Sequence, residues 1–150
     1  MTTQLALESA YWSNLGHGVW AIALYAVLGL VLMIVGFYAI DLTTPGKLRE
    51  LAPRGMPNAV VVSASGMLSM ALVVVFAVMA ASGRLLEGLI AAGAYGLIGI
   101  VAQVISVRIL EFLLRIDIGE VLEAPQYRHE VLVVAAAQFA MGLVVAFAIL

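Results

Sequence analysis

The chain has 150 residues, of which 65% are hydrophobic and 11% charged, against about 45–50% and about 25% in an ordinary soluble domain. That balance speaks against a soluble globule, and a formal charge of -2 leaves no basic stripe of the kind that nucleic-acid phosphates require. With no cysteine and only 2 histidines, disulfides and thiol chemistry are excluded, and neither a metal site nor a cofactor is expected.

In chain order, residues 1 to 17 carry Leu5, Trp12 and Leu15 on roughly one helical face, and Trp12 with Trp20 suits a membrane interface. This stretch reads as an interfacial lead-in. It lacks the basic residues that a secretory signal would place before its apolar core. Four apolar segments follow, over about 18–40, 58–81, 88–110 and 131–150, the third free of charge over 88–107. Each is close to the roughly 20 residues that cross a hydrocarbon core. The connections are too short for a second folded domain, so 1–150 reads as a single, all-α, integral membrane four-helix domain. Lys47, Arg49 and Arg54 lie in the first connection, Arg108, Arg115 and Arg128 at or in the third, and only Arg84 in the second. The positive-inside rule then places loops one and three in the cytoplasm and both termini outside.

The chain also repeats. At a shift of 71 residues Val60, Val62, Ala64, Met70, Leu72, Val73, Val74, Phe76 and Ala77 recur as Val131, Val133, Ala135, Met141, Leu143, Val144, Val145, Phe147 and Ala148. At a shift of 70, Ala21, Tyr25, Gly29 and Val31 recur as Ala91, Tyr95, Gly99 and Val101, and Asp41 falls on Glu111. Ala52-Pro53 recurs as Ala124-Pro125. The expectation is two helical hairpins, repeat 1 over about 18–81 and repeat 2 over about 88–150, in one membrane orientation.

Each cytoplasmic loop carries signals for a short surface helix. Thr44 can cap a helix whose first position is Pro45, and Pro53 stops it. In the second copy Asp117 with Glu120 three residues later resembles a capping box, and Pro125 ends the segment. Leu48, Leu51, Ile118, Val121 and Leu122 would face lipid or bundle, and the charges would face water.

The segment Ile40-Asp41-Leu42-Thr43-Thr44-Pro45-Gly46, followed by Pro57-Asn58-Ala59-Val60, resembles the bacterial inner-membrane family called domain of unknown function 350. The resemblance covers nearly the whole chain. It implies two tandem two-span repeats, a location in the bacterial inner membrane, and Asp41, Thr44, Pro45, Gly46 and Asn58 as motif residues. Pro57 stands where the family usually has Gly, and the second repeat has His129-Glu130 in place of the motif's Asn. The resemblance implies a topology rather than an activity. It also implies a genetic neighbourhood of membrane-stress proteins or polyamine-synthesis enzymes, where related proteins are often encoded.

Polar residues inside the membrane are the default candidates for function. Gln103 and Gln138 are the amides of the membrane core, and their first-repeat counterparts are Met33 and Met67. They can bond one another across the hairpin or line a path. Ala92, Gly96, Gly99, Gln103 and Ser106 form a smooth face suited to close packing, and Ser65 and Ser69, beside Gly66, read first as helix packing, with hydroxyls able to bond back onto their own helix. At the cytoplasmic boundary Arg108 and Glu111 are spaced as an ion pair. The third loop carries Asp117, Glu120, Glu123 and Glu130 against Arg115 and Arg128, whereas Lys47, Arg49 and Arg54 outnumber Glu50 in the first. Glu111, Asp117, Glu120 and Glu123 could therefore take a basic partner or a cation such as a polyamine. His129 reads as surface decoration.

No nucleophile with its base, membrane carboxylate dyad or phosphate-cradling loop is recognisable, so an enzyme is not expected. Two readings stand. One is a homo-oligomeric scaffold or adaptor in membrane stress or envelope homeostasis, whose loops meet a cytoplasmic protein partner. The other is an oligomeric channel or transport component for a small cation, with Gln103, Gln138 and Asp41 touching the permeant.

Overall fold

The computed structural model describes residues 2–44, 46–81, 84–114 and 117–150. Pro45 and Arg115 lie outside the described residues, as does the side chain of Leu5. Among the described residues every element is a helix: α1 (Thr2–Thr43), α2 (Leu48–Leu51), α3 (Pro57–Ala80), α4 (Leu85–Leu114), α5 (Ile118–Glu123) and α6 (Glu130–Ile149). The succession long, short, long occurs twice.

Four of these helices are long and apolar enough to cross a membrane, with candidate spans Asn14–Thr43, Pro57–Ala80, Leu85–Leu113 and Glu130–Ile149. The lead-in is continuous with the first span, because α1 runs without a break from Thr2 to Thr43 while the candidate span begins at Asn14. No proline interrupts those residues, and the isolated glycines within them only lower helix propensity.

The bundle is centred on α3, which packs against α1, α4 and α6; α6 also meets α4, and α1 lies on α3 and α4. Lipid tails are as apolar as leucine, so helices in a bilayer associate through close packing and hydrogen bonds. Buried Ala59, Val62, Gly66, Ser69, Val73 and Ala77 on α3 recur at intervals of three and four. So do buried Val131, Val134, Ala135, Gln138, Gly142, Val145 and Ala146 on α6. These two stripes meet with the helices running parallel, and small residues bring them together: a Cβ on Gly142 would collide with Ser69 and one on Gly66 with Gln138.

The smooth face of α4 is a packing face. Gly88 receives Tyr25, Gly96 receives Leu32, and Gly99 receives Val73, so a side chain added at any of the three would force its neighbour to move. The outer side of α1 stays open, with Ile22, Val27, Leu30 and Ile34 exposed. On a spanning helix those side chains face lipid or another protein.

Candidate functional site

At one end of the bundle α2 and α5 lie side by side. α1 continues to Thr43, and the Thr44 N–H donates to the Ile40 carbonyl at 2.9 Å. Thr44 therefore closes α1 and does not cap α2, contrary to the expectation from sequence. The chain then turns through Gly46 at φ 104° and Lys47 at φ 50°, so the short helix begins at Leu48. Lys47 is the non-glycine residue with positive φ among those described, a conformation costing about 1–2 kcal/mol for an L-residue.

The cap of α2 comes from the preceding helix. Asp41, only 2% exposed, accepts the Arg49 backbone N–H at 2.9 Å. Its other oxygen lies 3.6 Å from Arg49 Nε. A buried carboxylate needs such partners, because an unpaired charge withdrawn from water is expensive. α2 ends before Pro53, Gly55 turns the chain at φ 74°, and Pro57 opens α3 at a first-turn position where its missing N–H costs nothing.

Asn58 then ties the two loops together. Completely buried in the first turn of α3, it donates from Nδ2 to the carbonyls of Val121 at 2.9 Å, Ala124 at 3.3 Å and Gln126 at 2.9 Å. Its Oδ1 accepts the Arg128 N–H at 2.9 Å. One side chain thus satisfies the irregular backbone that joins α5 to α6, groups that would otherwise be unpaired at the membrane boundary.

α5 begins at Asp117, whose Oδ1 accepts the Glu120 N–H at 3.1 Å. The Glu120 carboxylate turns outward to Arg128 Nη1 at 3.4 Å. Ile118, Val121 and Leu122 are buried, and so is Leu48 of α2, which settles that these residues face the bundle rather than lipid. The two short helices touch, and a Cβ on Gly46, in the turn just before α2, would lie 3.7 Å from Leu122.

The outward surface is charged. Lys47 pairs with Glu50 at 3.3 Å, and Arg128 reaches Glu130 at 3.8 Å. Arg54, Asp117, Glu123 and His129 are exposed. Glu111 is paired with Arg108 on its own helix, as the spacing predicts. Among the described residues no group of three or more His, Cys, Asp or Glu could hold a metal ion.

Within the bundle, Gln103 and Ser69 converge on the carbonyl of Gln138. Gln103 Nε2 donates to Ser69 Oγ at 2.7 Å and to the Gln138 carbonyl at 3.0 Å, and Ser69 Oγ donates to that carbonyl at 3.0 Å. The two glutamines thus meet through a backbone oxygen, not through their side chains. Ser65 donates to the Ala135 carbonyl. Both serines cross to α6 instead of bonding back onto α3, because Gly66 and Gly142 let the helices approach closely enough. Gln103 Oε1 and Gln138 Oε1 remain buried without a hydrogen-bond donor.

The reading from sequence missed the Asp41 cap and the crossing serines. Asp41 stands out by its motif and its place at the membrane boundary, but no local rule pairs it with a residue eight positions on. The crossing serines had a signal, Gly66 beside Ser65 and Ser69, which points to a close helix neighbour.

A family model described as Domain of Unknown Function (DUF350) matches residues 14–149. Among curated proteins the chain is 35% identical over 133 residues to a UPF0719 transmembrane protein of Mycolicibacterium paratuberculosis, covering 88% of each chain. It is also 35% identical over 134 residues to UPF0719 transmembrane proteins of Mycobacterium bovis and Mycobacterium tuberculosis, covering 89% of this chain and 88% of each relative. No solved structure matches.

Proposed function

The chain belongs to the DUF350 family of transmembrane proteins, and since neither that name nor its relatives' names carry an activity, we propose from its geometry a homo-oligomeric membrane scaffold or adaptor. It presents loops one and three on the cytoplasmic side of the bacterial inner membrane to a soluble protein partner, in the service of envelope homeostasis. The observation that carries this reading is Asn58, whose four hydrogen bonds hold the third loop against the start of α3 while Asp41 holds the first. A connection with no docking role could hang free in water. Here both loops are stiffened into one surface, with Lys47 and Arg49 at the start of α2, which touches α5 and its acidic Glu120 and Glu123, and charge patterns of this kind select partners and speed encounter.

The charge distribution supports the orientation, with six of the seven Lys and Arg residues at or in these two loops. An enzyme is not part of this reading. The test is photo-crosslinking in cells from an unnatural residue at Tyr127, which is exposed on the third loop. A discrete adduct that disappears on Glu120→Lys with Glu123→Lys supports an acidic docking surface. An adduct that survives the reversal, or no adduct, sinks it.

A second reading rests on one observation, the two donorless oxygens Gln103 Oε1 and Gln138 Oε1 in the membrane interior. Such oxygens suit a small cation, as in a channel or transport component. Cation flux into proteoliposomes that falls in Gln103→Leu and Gln138→Leu protein would support it; no flux, or flux indifferent to both changes, would count against it.

A further inference from the structure

Each hairpin is packed internally in the same way. A Cβ on Gly29 would lie 3.5 Å from Val74 Cγ1, and one on Gly99 would lie 3.6 Å from Val145 Cγ1. These pairs are equivalent in the repeat, Gly29 recurring as Gly99 and Val74 as Val145.

Between the hairpins the contacts are one-sided. Val73 of the first hairpin is fully buried and seats on Gly99 of the second, whereas its counterpart Val144 is 61% exposed. Tyr25 reaches Gly88, whereas its counterpart Tyr95 is 41% exposed. Gly18, the counterpart of Gly88, has nothing within 4 Å of the position its Cβ would take. Val62 is 2% exposed and Val133 48%. The face with which the first hairpin holds the second is therefore repeated on the second and left open. The receiving face of the second hairpin is likewise repeated on the first, where Ala26, Gly29 and Val75 line an open groove of about 530 Å³ between α1 and α3.

Two hairpins related by a two-fold axis would present the same patch to each other and bury equivalent residues on both sides. Here a face meets a different, complementary face, and both are present again at the outer edges of the chain. We propose that the open face of α4 and α6 binds a second copy of this chain, head to tail, with Val144 of one copy entering the groove beside Gly29 of the next and Tyr95 lying on Gly18. The polar part of the contact is not repeated: Ser65 and Ser69 become Ala136 and Ala140, and Gln138 corresponds to Met67. The contact between copies is consequently apolar, held by small residues four apart that let helices approach in lipid. A head-to-tail contact of this kind closes into a ring where its rotation divides a full turn and otherwise continues as an open array.

This inference rests on the homo-oligomer in the proposed function and names its interface. Because the chain has no cysteine, Gly29→Cys and Val144→Cys protein can be co-reconstituted in bilayers and oxidised, with native mass spectrometry of the unoxidised sample. The expected result is a disulfide-linked dimer from the mixture and none from either variant alone. Adding Gly18→Leu, which meets no neighbour within the subunit, should reduce the yield several-fold without loss of folded protein. Crosslinking of Val144→Cys with itself would overturn the head-to-tail arrangement in favour of a symmetric face. Oligomers by mass without a mixed crosslink would overturn the interface and leave the oligomer standing, and a monomer would overturn both.

Discussion

The Asn58 side-chain oxygen, at the first turn of α3, accepts the backbone N–H of Arg128 at 2.9 Å, 70 residues further along the chain. The same side chain donates to three carbonyls, so its removal leaves several backbone groups without partners at once. Asn58→Ala should lower stability by about 2–4 kcal/mol, more than one hydrogen bond contributes, because unpaired buried groups carry the full desolvation cost. Hydrogen exchange should show the loss first over residues 121–128, and a uniform loss across all helices would contradict the local role.

Packing between α3 and α6 is set by Gly142. Since Ser69 already fills the space a Cβ would need, Gly142→Ala should cost about 1–3 kcal/mol through overpacking. Gly16→Ala, where nothing lies within 4 Å, should instead stabilise by up to about 1 kcal/mol from helix propensity. Thermal unfolding in detergent, followed by circular dichroism, compares the two; equal effects would show that packing does not decide.

Ser65→Ala removes one bond to α6, while Ser69→Ala removes a bond to Gln138 and an acceptor of Gln103. Interhelical bonds of this kind average about 0.6 kcal/mol in membranes, so Ser65→Ala should sit near that figure and Ser69→Ala above it. Steric-trap or denaturant unfolding in bilayer mimics resolves the difference. Ser69→Ala no costlier than Ser65→Ala would rule out the convergence on Gln138 as a stabilising feature.

Asp41 acts on α2 through a backbone N–H and through an ion pair whose Arg49 side chain is 49% exposed. Half-exposed pairs are screened and contribute at most about 1 kcal/mol. Asp41→Asn, which keeps an acceptor for the Arg49 N–H, should therefore cost less than Asp41→Ala, which loses the cap and about 1–2 kcal/mol with it. Raising salt should barely change either variant. Amide exchange at Arg49 provides the readout, and equal exchange in both variants would mean that the ion pair, not the cap, holds α2.

The fold was legible because its signals are long. A span needs about 20 apolar residues, and each of the four announced itself over that whole length. Helix ends were less legible where a distant group governed them. Thr44 followed by Pro45 has the local form of a helix start, but the Thr44 N–H is taken by the ladder of α1 and Asp41 caps α2 from outside it. Asp117, which caps with its own immediate neighbours, was readable. Inside the membrane the identities of the polar residues were visible and their partners were not, since both Ser69 and Gln103 bond to a backbone oxygen, a group that every residue carries and no sequence pattern marks.

The separation of Asn58 from its partners also sets an order of events during synthesis. At roughly 5–20 residues per second, the 70 residues between Asn58 and Arg128 take roughly 4–14 s to emerge. Once α3 is complete at Ala80 the first hairpin is long enough to insert, yet the carbonyls and N–H that its asparagine will engage do not exist. The nascent first half must wait with that amide in the wet headgroup region, and docking of the two halves falls after translation of the third loop. A chain halted before residue 121 would hold a first hairpin whose Asn58 latch has nothing to close on.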